Sequence, residues 1–95
     1  MRIDKFLKIS RIIKRRPIAK KIADQGRVFI NGNEAKSSSK VGVGDQILIK
    51  FGNKELTVEV KQLLQTTKKA DSDQMFAVID EKYHRDYEAE SEELL

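Results

Sequence analysis

Eight basic side chains fall within the first twenty residues: Arg2, Lys5, Lys8, Arg11, Lys14, Arg15, Arg16 and Lys20. Lys21 brings the segment to nine of the chain's nineteen basic residues, against a single acid, Asp4. The segment therefore carries +8 on a chain whose total is +4, and the remaining residues sum to −4. A guanidinium binds phosphate bidentately or stacks on an unpaired base, and an ammonium adds a looser attraction. The chemistry available here is charge-assisted capture of a polyanion. A charge run is ordinarily a solvated face. The arginine density and the regular apolar residues between the charges argue for a built surface instead.

Little else in the chain could do chemistry. The absence of Cys excludes disulfides, thiolate metal sites and a thiol nucleophile. His84 is the single histidine and stands among acids with no partner His or compact carboxylate set, so no metal site and no general base is expected there. No Walker loop, dinucleotide-binding glycine turn or paired-carboxylate motif is present, and no cofactor is implied. No run of eighteen apolar residues exists to span a membrane, and charges interrupt the N-terminal apolar residues too often for a secretory signal. A single cytoplasmic domain is expected from the 95 residues.

The elements that must position the basic residues follow from periodicity. Residues 2–15 repeat at a helical period, with Ile3, Phe6, Leu7, Ile9, Ser10 and Ile13 on one side. Lys5, Lys8, Arg11, Arg15 and Arg16 fall opposite, and Asp4 is placed to pair with Lys8 one turn on. Pro17 separates this helix from a second, with Ile18, Ala19, Ile22 and Ala23 inward and Gly26 as C-terminal cap. The period then changes. Asn31-Gly32 marks a two-residue hairpin over Arg27–Lys36. Ser37–Ser39 read as a loop, Gln46–Phe51 as a strand, and Leu56–Val60 as a strand with Leu56, Val58 and Val60 inward. Residues 64–79 read as a linker with room for one more strand at Met75–Ile79. Residues 80–95 hold seven acids against Lys82 and Arg85, which reads as a solvated acidic tail or a frayed helix. The fold class is α+β, two helices on a small antiparallel sheet.

In this order the residues carry a resemblance. Arg2-Ile3-Asp4-Lys5-Phe6-Leu7, Ser10-Arg11, Arg15-Arg16, Ala19, Ile22, Gly26-Arg27-Val28, Ile30-Asn31-Gly32, Ala35-Lys36 and Val43-Gly44-Asp45-Gln46-Ile47 resemble the S-four RNA-binding domain of ribosomal small-subunit protein four, over residues 1–63. Ser10–Arg16, Ala23–Arg27 and Thr66–Lys69 resemble the bacterial stand-alone RqcP-like branch, related to the ribosome-associated small heat-shock proteins. The resemblance implies ribosomal RNA and tRNA on the large ribosomal subunit as partners. It implies a subunit obstructed by peptidyl-tRNA and an RqcH-like factor that adds alanine tails to the stalled chain. A monomer that touches no membrane is expected.

Recognition of A-form RNA leans on phosphates, 2′-hydroxyls and shape, because its major groove is deep and narrow. Arg2, Lys5, Arg11, Arg15 and Arg16 are the expected direct contacts, and Lys8, Lys14, Lys20 and Lys36 an electrostatic rim. Asp4 is expected to orient its basic neighbours. Phe6, Leu7 and Ile13 lie on the apolar arc and belong to the core. Phe29 and Phe51 are expected to pack in the sheet before they stack on a base.

Three other readings compete. S-four domains are appended to pseudouridine synthases, methyltransferases and tyrosyl-tRNA synthetases, but 95 residues leave no room for those catalytic parts. A DNA-reading helix-turn-helix would carry its arginines on the second helix, whereas here they cluster on the first and at the corner. A general ribosome-assembly or heat-shock factor shares both fold and patch.

Overall fold

The computed structural model describes residues 1–64 and 74–83. Two helices, α1 (Ile3–Ile9) and α2 (Arg16–Asp24), pack on one face of a five-stranded antiparallel sheet. The strands are β1 (Val28–Ile30), β2 (Asn33–Glu34), β3 (Gln46–Phe51), β4 (Lys54–Val60) and β5 (Phe76–Tyr83), in spatial order β2-β1-β3-β4-β5. The α+β architecture is the one the period change predicts. Among the described residues no helix is long and apolar enough to cross a membrane.

A helix of seven residues is far below the length at which a helix survives alone in water. α1 persists because it buries Ile3, Phe6 and Leu7 completely. Each such side chain contributes about 1.5–3 kcal/mol on burial. The helix is half as long as the period over residues 2–15 suggests. Ser10 caps it, and Arg11 turns into the left-handed region at φ 64°. The Ile13 amide then reaches back to the Leu7 carbonyl at 3.1 Å, and Ile13 enters the core fully buried. A capped end thus delivers an apolar side chain where another helical turn would have placed it, and sequence periodicity does not distinguish the two.

Pro17 sits in the first turn of α2, where its missing N–H is no loss. Arg15 is the extended residue before this helix, and its carbonyl accepts the Ile18 and Ala19 amides. At the far end Gly26 adopts φ 78°, as a C-terminal cap requires. The Asn31-Gly32 turn has φ 51° and 85°, the double left-handed conformation of a two-residue hairpin. Its Asn31 side chain accepts the Gln46 amide at 2.9 Å and donates to Asp45 at 3.1 Å, which pins the hairpin tip to the start of β3.

Alternation along the strands places the core. Val28, Ile47, Ile49, Phe51, Leu56, Val58 and Val60 are buried on the helix side. β5 pairs with β4 along its length, with a bulge between Thr57 and Val58. It starts at Phe76 and runs on through Tyr83, four residues into the stretch expected to be tail. The cross-strand pairs Lys54–Tyr83, Glu55–Lys82 and Leu56–Glu81 account for the extension, with Lys54 Nζ 3.2 Å from Glu81 Oε1. The linker residues 65–73 and the remaining tail residues 84–95, with His84, lie outside the described residues.

The segment after the hairpin is not a free loop. Ser37 is buried, and its amide and hydroxyl both donate to the Asp24 carboxylate, at 3.0 and 3.2 Å. The neighbouring chain pairs with the N-terminus: the Ile3 amide donates to Ser39 O at 2.7 Å and the Val41 amide to Met1 O at 2.9 Å. The hydrogen bond from the Ser37 amide, foremost, holds the Asp24 carboxyl below its ordinary value of 3.8.

Two predictions follow from these contacts. A chain cut after Ile79 melts at lower temperature than one cut after Tyr83, because the first cut removes half of β5; equal melting temperatures would show that those pairings contribute nothing. The lowered Asp24 pKa is a stabilisation present above 3.8 and lost as pH falls through the lower, folded value. Asp24→Asn therefore flattens the acid limb of a stability–pH curve below about pH 4, while leaving its alkaline limb in place.

Candidate nucleic-acid interface

Asp4 is 2% exposed yet charged, in the first turn of α1. A buried carboxylate needs partners, and three donors among the described residues supply them. Oδ1 accepts the Lys5 amide at 2.7 Å and Arg16 Nη2 at 3.4 Å. Oδ2 accepts Arg2 Nη2 at 3.2 Å. The carboxylate thus joins arginines fourteen positions apart, one before α1 and one at the start of α2. Its partners are Arg2 and Arg16 rather than Lys8. The i,i+4 pair is displaced because the carboxylate points into the seam between the helices.

Both arginine side chains remain 46% exposed. A guanidinium has five N–H donors, and each of these commits one to Asp4. With about half of each side chain exposed, donors remain for a phosphate oxygen pair. Arg2 also forms an isolated antiparallel bridge with Lys40. Bridged residues project to the same side at close range. Lys40 therefore joins the patch, and sequence reading missed it. The only signal was its place directly after the Ser37–Ser39 run, which composition presented as an unattached loop.

Lys20 and Lys36 both face the Asp24 carboxylate. The Lys36 amide donates to Ser39 Oγ at 2.9 Å, and its ammonium lies 3.8 Å from Glu34. Ser37 thus anchors the turn that carries Lys36 and Lys40 against the end of α2. The fold brings together Arg2, Lys5, Arg16, Lys20 and Lys36 by these shared acids and backbone pairings. Lys8, Arg11, Lys14 and Arg15 are exposed on the end of α1 and the turn to α2, and among the described residues no contact ties them to the Asp4 centre.

The two aromatic residues expected in the sheet lie on opposite faces of it. Phe6 and Phe51 are buried. Phe29 lies on the sheet face away from the helices, with Lys50 Nζ 5.1 Å from its ring centre. Among the described residues no group of three or more His, Asp or Glu is arranged to hold a metal ion. The arrangement offers charge, fixed donors and a rigid frame.

Comparison with known proteins places this geometry in a family. The S4 domain profile matches residues 1–47, which contain Asp4, both of its arginines and the docked turn. The chain is 54% identical over 82 residues to the RQC P-site tRNA stabilizing factor of Bacillus subtilis, covering 86% of this chain and 95% of that protein. Identity to the Streptococcus pneumoniae protein of the same name is 53% over 81 residues, covering 85% and 92%. Among solved structures, trimeric heat shock protein 15 of Vibrio cholerae superposes with a TM-score of 0.77 at 29% identity, covering 82% of this chain and 80% of that one. With near-complete coverage of relatives at this identity, the chain belongs to the S4-domain family of RQC P-site tRNA stabilizing factors.

Proposed function

We propose that this chain is a non-catalytic, cytoplasmic RNA-binding factor of ribosome-associated quality control. In this reading it binds rRNA and tRNA on a large ribosomal subunit obstructed by peptidyl-tRNA. There it supports alanine tailing of the stalled chain by an RqcH-like factor. The observation that carries the reading is the pair of half-exposed arginines held by one buried carboxylate, on a face that concentrates the chain's positive charge. The name of the relatives, tRNA stabilizing factors, supplies the partner class.

Direct contacts in this proposal are Arg2, Lys5, Arg11, Arg15 and Arg16, with Lys8, Lys14, Lys20, Lys36 and Lys40 as the rim. Asp4 orients Arg2 and Arg16 and does not itself touch RNA, because a carboxylate repels phosphate. The chain acts as a monomer with no cofactor. The likeness to heat shock protein 15 favours one alternative, a general rRNA-binding heat-shock or assembly factor. Affinity purification from cells with sizing of the ribosomal particles separates them. Co-migration with free large subunits carrying peptidyl-tRNA supports quality control; co-migration with immature particles sinks it in favour of assembly.

Two measurements test the interface. Neutralising about five or six phosphates gives a slope of log K against log salt on the order of −4 to −5. An isotherm unchanged between low and moderate salt would remove the basic face as the main contact. Arg16→Ala weakens RNA binding by roughly 1.5–3 kcal/mol. It spares the fold, since Asp4 keeps Arg2 and the Lys5 amide. Leu7→Ala, in contrast, leaves a core cavity and lowers stability by about 2–5 kcal/mol. Thermal melts that rank Arg16→Ala as the more destabilising would invert the assignment of the two helix faces.

A further inference from the structure

Asp24 stands where electrostatics disfavours it. It is the last residue of α2, at the negative end of that helix's dipole. It is exposed, and a carboxylate beside Lys20 and Lys36 weakens the attraction of this face for a polyanion. Its hydrogen bonds point to another task. The buried Ser37 donates to it twice, from amide and hydroxyl. The Ser37 carbonyl in turn accepts the Asp4 amide at 3.4 Å, and the Ser39 carbonyl accepts the Ile3 amide at 2.7 Å. Ile3 and Asp4 open α1, and the first amides of a helix have no partner inside it. Arg2, the N-cap residue, makes no side-chain capping bond. The Ser37–Ser39 turn takes that place, and Ser37 thereby joins the last residue of α2 to the first turn of α1.

The turn docks as one piece. The Lys36 amide donates to Ser39 Oγ and the Ser39 amide to the Lys36 carbonyl, both at 2.9 Å. The bridge between Arg2 and Lys40 continues the pairing on its far side. Arg2 is therefore fixed twice, its guanidinium by Asp4 and its backbone by the docked turn. We propose that Asp24 is a positioning residue for RNA binding, which through Ser37 holds the turn that caps α1 and so fixes Arg2 and Lys40 on the binding face. The proposal rests on the RNA-binding reading of that face. It makes a prediction opposite in sign to charge alone. Removing an acid from a basic face strengthens attraction to RNA, whereas releasing the turn frees Arg2 and Lys40 and weakens it.

The test compares Asp24→Ala with Asp24→Asn in the full chain, titrated by anisotropy against a fluorescein-labelled RNA hairpin over a range of salt. Both variants raise the net charge from +4 to +5, but only the asparagine keeps an oxygen for the Ser37 amide. We expect Asp24→Asn to bind as tightly as the wild type or more tightly. Asp24→Ala binds roughly five- to tenfold more weakly, with a salt slope shallower by about one, as the loss of a phosphate contact requires. Ser37→Ala, which loses one of the two bonds at unchanged charge, falls between wild type and Asp24→Ala. Lys40→Ala weakens the wild type and adds little to Asp24→Ala, the non-additivity of residues that act together. Amide exchange at Ile3 and Asp4 quickens in Asp24→Ala and not in Asp24→Asn. Equal affinities for the alanine and asparagine variants overturn the proposal, as does tighter binding by Asp24→Ala. Faster exchange at Ile3 and Asp4 with unchanged RNA affinity makes the turn a structural feature alone and also overturns it. In each of these cases salt-dependent binding by the wild type, weakened in Arg16→Ala, leaves the RNA-binding reading standing. A wild-type chain without salt-dependent RNA binding overturns both.

Discussion

A buried charge that cannot be left alone organises this protein. Asp4 is shielded from water in the seam between the two helices, and desolvating a carboxylate costs several kcal/mol unless donors replace the lost solvent. The donors come from three places: the N-cap residue of α1, the amide of Lys5 inside it, and the first residue of α2. Satisfying one carboxylate therefore links the start of α1 to the start of α2, beside the apolar core that packs the two helices together. It also sets where two guanidinium planes point. Arginine suits both demands, because one donor can serve the buried acid while the rest of the fork faces outward. A lysine offers a single point charge and would serve only one of the two. The orientation is built before any ligand arrives, so less conformational freedom remains to be lost on binding.

The same economy appears one layer out. Asp24 at the end of α2 takes two hydrogen bonds from Ser37, and that contact draws the turn with Lys36 and Lys40 toward the N-terminus. Two acids thus position basic residues from three separate stretches of chain. Without them the positive charges would repel one another across a small domain. The net charge of the face stays high while its local arrangement is fixed by these two anchors. A merely solvated basic helix has no such anchoring acids, one of them, Asp4, buried.

Much of this was legible in the sequence, and the gaps have physical causes. The hairpin, the cap at Gly26 and the inward residues of β3 and β4 follow from local rules, because turn chemistry and alternation act over a few residues. The length of α1 did not follow, since the bond from Ile13 to Leu7 preserves the apolar spacing after the helix has ended. The partners of Asp4 were hidden for a related reason. Position i,i+4 favours Lys8 on an isolated helix, but the second helix brings Arg16 closer than any local rule can show. Lys40 was invisible because a Ser-rich turn gives no sign of docking until its buried serine meets an acid on another element. The stretch Asp80–Tyr83 was lost to its own polarity. It contains three charged residues, yet pairing with β4 satisfies the backbone, and Lys54 answers Glu81.

The resulting molecule is polar in the electrical sense. Its helices gather positive charge at one side, while the strand farthest from β2 leads into an acid-rich sequence. These charges could have been interleaved, which would lower the field and favour solubility through mixed signs. Segregation instead gives the helix side its own preference: a polyanion is drawn to it, and so approaches in one orientation.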